Sequence, residues 1–328
     1  MATPLATQRP AANAPAPAAK LSLARVSKGK IPHPLWIHVY GQEGVGKTSF
    51  GAASPDPLFI DVEQGSLNYD ATRFLFDEER TRPNDFEDFM EALRTVEREG
   101  FPAYRTLVID TLDAVEALVW EFICRRDSKQ NIAAYGYMKG EKIVALDEWR
   151  RIVAALERVR AKGMNVITLS HAISKRRDDP EGEGWDRYIL KLDPTAGGLI
   201  KERADAVLFA RRDITRVVKD GKTRGISTDA RLLCTAWDPK WDAKNRHDLP
   251  ETLALDWGEL VAAIAAHKPA DPETLTASIR RDAKRIGGTV EATATKYLTD
   301  ANGDAVKLSK IRTWITTKLA EAGITEEN

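Results

Sequence analysis

Gly41-Gln42-Glu43-Gly44-Val45-Gly46-Lys47-Thr48 fits the phosphate-binding pattern G-x-x-x-x-G-K-[ST] at every fixed position. The apolar, β-favouring run Leu35-Trp36-Ile37-His38-Val39-Tyr40 leads into it, and Ser49-Phe50-Gly51-Ala52-Ala53 follows as a first helical turn. The strand–loop–helix context that the pattern needs is therefore present. Glycines let backbone N–H groups turn inward around phosphate oxygens, and the start of the helix adds partial positive charge aimed at the same anion. Lys47 stands where it reaches β- and γ-phosphates, and Thr48 where its hydroxyl meets Mg²⁺, whose hard shell prefers oxygen. The expected nucleotide contacts are Gly41, Gln42, Glu43, Gly44, Val45, Gly46, Lys47, Thr48 and Ser49.

Working outward, the 328 residues suffice for one large α/β domain and a smaller one. Lys+Arg and Asp+Glu both number 49, so nucleic-acid binding has to come from a local patch and not from overall basicity. Cys124 and Cys234 lie far apart and outside any zinc-ligand spacing, which disfavours a metal centre of that kind and suits a reducing compartment. No apolar run approaches the roughly 20 residues of a membrane span, and the N-terminus lacks a signal-peptide core. A cytoplasmic protein with no membrane partner is expected. Residues 1–30 are rich in Ala and Pro, with five basic residues and no acidic one, and read as a flexible tail. The core is expected over 31–268 and a small, mainly helical domain over 269–328, after the Pro269 to Pro272 boundary.

Three further apolar runs read as buried strands. Pro57 to Val62 ends beside Glu63, Tyr104 to Asp110 ends in a carboxylate, and Met164 to Leu169 ends in Ser170 and His171. In an open parallel sheet those ends face the ligand crevice. Glu63 is placed there to orient or deprotonate a water, or else to cap the next helix. Asp110 is placed to hold Mg²⁺ with Thr48, and His171 to sense the γ-phosphate. Helices are expected over 84–99, 112–126 and 141–162, and a hairpin over 214–236 with Asp220-Gly221 at its turn. The segment from Ser174 to Leu192 is too long and polar for an ordinary connection. Its Lys175, Arg176 and Arg177, with Trp185 and Tyr188, could grip a nucleic-acid strand, or the acidic residues beside them could leave it a solvated flap. Tyr135, Tyr137 and Lys139 offer a second stacking loop or a structural anchor.

This order of elements resembles the RecA-like ATPases. The shared features are the P-loop, the Phe59-Ile60-Asp61-Val62-Glu63 strand, the strand ending in Asp110, the strand ending in Ser170-His171, and Gly197-Gly198 followed by Lys201. With Glu63-Gln64-Gly65 and the strand from Ala204 to Phe209 it looks closest to phage nucleotide-binding proteins of the single-strand annealing type, over roughly residues 35–265. The resemblance implies a RecA-like core with a mainly parallel sheet flanked by helices. It also implies ATP and Mg²⁺, catalytic roles for Lys47, Glu63 and His171, and Lys201, with Arg203 as substitute, serving a neighbouring subunit's ATP. It further implies single-stranded DNA as partner, a homo-oligomer, and a single-stranded DNA-binding protein as a second partner. The implied function is ATP-dependent annealing or strand exchange in phage-type recombination. A helicase or helicase-loading motor shares every nucleotide residue named, and an ATP-gated scaffold with little turnover stays open beside it. His171 departs from the Gln usual in bacterial recombinases, and residues 270–328 match no familiar pattern.

Overall fold

The computed structural model describes residues 26, 31–179, 182–219, 222–266 and 272–322. The expected tail, the Asp220-Gly221 turn, Glu181 and residues 269–271 of the expected boundary fall outside them, apart from Val26 in the tail. The chain divides into two units, Met1–His33 and Pro34–Asn328. In the first, His33 Nδ1 lies 2.9 Å from the Ile31 carbonyl.

The second unit is a mixed α/β fold built on a large, mostly parallel sheet, consistent with a RecA-like P-loop NTPase. Its strands are β1 (Trp36–Gly41), β2 (Pro57–Asp61), β3 (Thr72–Arg73), β4 (Thr106–Asp110), β5 (Asn165–Asp179), β6 (Gly182–Leu190), β7 (Ala206–Lys219), β8 (Lys222–Cys234), β9 (Lys244–Asn245) and β10 (Thr252–Ala254). The order across the sheet is β10-β8-β7-β1-β5-β4-β2-β3, with β6 on β5 and β9 on β7. β1 runs parallel to both β5 and β7, and β5 separates it from β4. Strands in such a sheet are covered on both faces, so they read as continuous apolar runs and not as alternations. WIHVYG of β1 is buried at all six positions.

Period-two alternation sends each strand's residues into two cores. Trp36, Tyr40, Ile60, Leu107, Ile109 and Phe209 face one layer, with α2 (Phe86–Thr95), α3 (Leu112–Arg126), α4 (Ala145–Ala161) and α5 (Pro194–Arg203) against them. Ile37, Val39, Phe59, Val108 and Leu208 face the other, covered by α1 (Lys47–Ala52) and α6 (Trp257–Ala266). Side-chain caps fix where helices begin. Asp85 accepts from Asp88 N at 3.0 Å, and Asp193 accepts from Thr195 N at 2.8 Å with Pro194 in the first turn. At the amino edge of the sheet, Asp205 accepts from Trp36 N at 2.9 Å and pairs with Arg160 at 2.5 Å.

Four expectations are corrected in detail. The helix expected over 84–99 ends at Thr95 and continues as a wider π-type turn over Val96–Gly100. A similar turn, Gly140–Val144, precedes α4 where the helix was expected from 141. The polar segment from Ser174 is not a loop: β5 runs on to Asp179 and β6 pairs back antiparallel from Gly182. The hairpin expected from 214 begins earlier, because β7 is one strand from Ala206 to Lys219. Gly197 and Gly198 lie within α5.

The appendage consists of α7 (Pro272–Ile286), α8 (Gly288–Ala301) and α9 (Ala305–Glu321). Ile279, Ala283, Leu298, Leu308, Ile315 and Leu319 give it a core of its own. Inside it Asp282, 1% exposed, is bound by Arg281 at 3.0 Å and by Arg312 of α9. No described helix is long and apolar enough to cross a membrane.

Two glycines should respond oppositely to alanine. At Gly41 a Cβ would lie 2.3 Å from the Ala210 carbonyl of β7, so Gly41→Ala has to push two central strands apart and should cost about 1 to 3 kcal/mol or more. At Gly198 a Cβ would meet nothing within 4 Å, and Gly198→Ala inside α5 should gain roughly 0.5 to 1 kcal/mol. Urea unfolding midpoints of the two variants check both signs.

Candidate nucleotide site

β1 delivers Gly41 to the carboxyl edge of the sheet, and the chain then loops back over its own strand end into α1. Gly46 caps α1 with φ +108°, a left-handed conformation that a side chain disfavours. Phe50 N closes the first helical bond to Gly46 O at 3.0 Å. Val45 packs into the core while Gly44 and Gly46 line an adjoining cavity of about 270 Å³. Lys47, 6% exposed, points across the loop and donates to the Gly41 and Gln42 carbonyls, each at 3.1 Å. Those are weak partners for an ammonium, and a phosphate would displace them readily.

Neighbouring strand ends bring in the carboxylates. Asp110 closes β4, and its Oδ2 accepts from Thr48 Oγ1 at 2.7 Å. Burial pushes the Asp110 carboxyl up to about 6, against the Thr48 hydrogen bond, while the Asp61 and Glu63 charges push the same way. Burial lowers Lys47, opposed by Asp110, Asp113, Glu63 and Glu43. Glu63 follows β2 by two residues, and its Oε1 accepts from Thr111 Oγ1 at 2.7 Å. His171, paired with Gly41 where β1 and β5 run side by side, sits with Nδ1 3.7 Å from that same Glu63 oxygen. Lys47, Thr48, Glu63, Gly65, Tyr69, Asp110 and His171 thus line one cavity.

Several members carry no local sequence signal. Asp113, in the first turn of α3, accepts from His171 N at 2.7 Å and lies 3.2 Å from its Nδ1, so it holds His171 in place. Asp61 is structural: it accepts from Ser66 N at 2.8 Å and from Gly65 N at 3.1 Å, folding the turn after Glu63. Tyr69 takes a bond from Ser49 Oγ at 3.1 Å. Arg231 of β8 also lines the cavity, and Arg212 of β7 donates to Gly44 O at 3.2 Å.

The residues expected to bind nucleic acid are only partly together. Register places Lys175 and Arg177 on one face of the β5–β6 hairpin, opposite Arg187 and Trp185, and Arg176 on the other face. All three basic side chains are exposed, and among the described residues none pairs with a carboxylate. Trp185 has Arg177 over its ring at 5.8 Å and donates from Nε1 to Pro239 O at 2.8 Å. Tyr188 is half-buried and has a ring partner of its own. Its ring already stacks on Phe209 with centroids 5.0 Å apart, and Phe209 stacks on Trp241 in turn. Tyr135 is likewise an anchor, donating to Asp127 at 2.7 Å, whereas Tyr137 and Lys139 are exposed. Lys201 lies outside the cavity lining; Asp242 pairs with its Nζ at 2.5 Å and with Arg187 at 2.6 Å. Arg203 pairs with Glu157 at 3.1 Å.

Residues 33–247 match the sequence family described as AAA domain. The SPbeta prophage-derived uncharacterized protein YorG of Bacillus subtilis (strain 168) is 19% identical over 241 residues, which span 70% of this chain and 63% of that protein's length. Among solved structures, the crystal structure of the RadB recombinase is similar at 13% identity and a TM-score of 0.36, over 68% of this chain and 86% of that one.

Asp110 generates a prediction that needs no ligand. Its folded pKa is raised, so the protonated form is favoured by folding; the benefit is full below about 3.8 and is lost as pH rises through about 6. At pH 8 the buried charge should cost on the order of 2 to 3 kcal/mol. Asp110→Asn should therefore be more stable than the parent at pH 8 and lose that advantage toward pH 4, read from urea midpoints at several pH values.

Proposed function

The chain belongs to the AAA domain family, and from that premise we propose that it is a RecA-like ATPase that binds single-stranded DNA and promotes annealing or strand exchange in phage-type recombination. The observation that carries the ATPase half is one cavity lined by Lys47, Thr48, Glu63, Asp110 and His171. A prophage-derived relative supports the phage setting. The exposed Lys175, Arg176 and Arg177 on the β5–β6 hairpin, none in an ion pair among the described residues, support the DNA half.

ATP is the substrate. Thr48 and Asp110 would hold Mg²⁺: both are hard oxygen donors 2.7 Å apart, and a cation would relieve the raised Asp110 carboxyl. When bound, the ion neutralises phosphate charge. Glu63 orients the attacking water and takes its proton, with Thr111 fixing one of its carboxylate oxygens. Lys47 moves from the Gly41 and Gln42 carbonyls to the phosphates. His171, held by Asp113 beside Glu63, senses the γ-phosphate and passes its loss to β5, whose far half is the basic hairpin. Self-assembly with ATP at subunit junctions belongs to the same reading, with Lys201 and Arg203 on α5 as the residues offered across the junction once released from Asp242 and Glu157.

The test is ATP hydrolysis with and without single-stranded DNA. The parent should hydrolyse ATP faster when DNA is added. Lys47→Ala should abolish turnover, and Glu63→Gln should bind ATP yet turn over about 10² to 10⁴-fold more slowly. Parental turnover by Lys47→Ala would remove the ATPase assignment. Replacing Lys175, Arg176 and Arg177 by alanine should flatten the dependence of log affinity on log salt by about 2, at roughly 0.7 per phosphate contact on a single strand. An unchanged slope would move the DNA site to Tyr137 and Lys139.

A further inference from the structure

Besides Lys47, the β7–β8 hairpin brings cationic side chains to the phosphate loop of the same chain. Arg212 and Arg231 are direct cross-strand partners, which puts both side chains on one face of the hairpin. It is the face of Ala210 and Leu233, in the same core as Val45 of the P-loop. Arg212 Nη2 donates to Gly44 O at 3.2 Å. Arg231 approaches the next glycine, where a Cβ on Gly46 would lie 2.6 Å from its Nη1, and it lines the same cavity as Lys47 and Glu63.

Like charges directly opposite in an antiparallel ladder destabilise it. Among the described residues neither arginine pairs with a carboxylate, and the Arg231 guanidinium has no hydrogen-bond partner. Both side chains are exposed and hydrated in the ligand-free protein, at the mouth of the phosphate loop where a phosphate would exchange that water for charge-assisted bonds. A guanidinium offers a planar fork of donors that fits two phosphate oxygens at once.

We propose that Arg231 contacts the β- and γ-phosphates of the nucleotide in its own chain and stabilises the charge that develops there, with Arg212 positioning the loop through Gly44. The inference rests on the nucleotide reading above. In the step it assists, water attacks the γ-phosphorus and its proton goes to Glu63. The bond from the γ-phosphorus to the β–γ bridging oxygen breaks, and ADP leaves with the electron pair. Arg231 neutralises the phosphoryl and leaving oxygens as their charge grows.

The test compares the parent with Arg231→Ala, Arg231→Lys and Lys47→Ala in the full chain. The readouts are the Tm without ligand, the Tm rise and affinity with Mg²⁺-ATP, a non-hydrolysable ATP analogue and ADP, and kcat with KM. Arg231→Ala should keep or raise the ligand-free Tm, because repulsion with Arg212 is relieved. It should bind ATP and the analogue about tenfold or more weakly, lose less affinity for ADP, and drop about 10²-fold in kcat. Arg231→Lys should recover part of the affinity and little of kcat, since the fork is absent. Parental affinity for the analogue in Arg231→Ala, with binding lost in Lys47→Ala, would overturn this proposal alone and leave Arg231 a filler over Gly46. A parent that binds no nucleotide would overturn the nucleotide reading with it.

Discussion

Lys47 is the charge around which the carboxyl edge of the sheet is arranged. The residue is 6% exposed, its ammonium is held by two backbone carbonyls, and it feels the charges of Asp110, Asp113, Glu63 and Glu43. A buried charge without a full partner set is costly, and here both signs show it: burial lowers Lys47 and raises Asp110 to about 6. The fold can hold this arrangement because the strands beneath are pinned by continuous apolar burial on both faces. A polyanion with a divalent cation would satisfy both groups at once, since its phosphates meet Lys47 and its cation meets Asp110. The unfavourable electrostatics of the ligand-free site therefore favour the occupant that its geometry fits.

The strands supplying that edge were legible in the sequence for a physical reason. A parallel strand buried on both faces reads as an apolar run, and the first polar residue after it marks the carboxyl edge. Asp110 closes such a run directly, Glu63 and His171 lie one or two positions beyond the first polar residue, and all three line the cavity with Lys47. The P-loop itself was legible because its backbone conformation demands particular residues: Gly46 at φ +108° and Gly41 under the Ala210 carbonyl leave no room for choice.

What escaped has a matching cause. The β5–β6 hairpin carries charge on both faces, with Lys175 and Arg177 on one and Arg176 on the other, so no alternation of apolar and polar residues marks it as a strand pair. Tyr188 follows a charged stretch, yet stacks on Phe209, a residue of β7 brought alongside only by the sheet. Arg231 lies far along the chain from Gly46. Its position depends on the β7–β8 register, including the shift between Arg212 and Ile214 that follows the pairing with Arg231. A one-residue slip would turn Arg231 to the opposite face. Register of that kind is a tertiary outcome with no local spelling.

The same register joins the basic hairpin to the phosphate loop by two routes of unequal strength. One is direct, a bond from Gln42 Nε2 to the Tyr188 hydroxyl, but at 3.5 Å between exposed groups it is too long to transmit much. The other is the aromatic stack Tyr188–Phe209–Trp241, with Arg211 over Trp241 at 5.5 Å and Tyr40 of β1 against Phe209 at 5.1 Å. Packed rings resist sliding because every displacement breaks contacts on both faces. Tyr40 also donates to the Asp242 backbone at 2.6 Å, and Asp242 holds Arg187 of β6 at 2.6 Å. Tyr40 immediately precedes Gly41. The hairpin and the strand that enters the P-loop thus share one packed aromatic layer, of which the long Gln42 bond is the weakest contact.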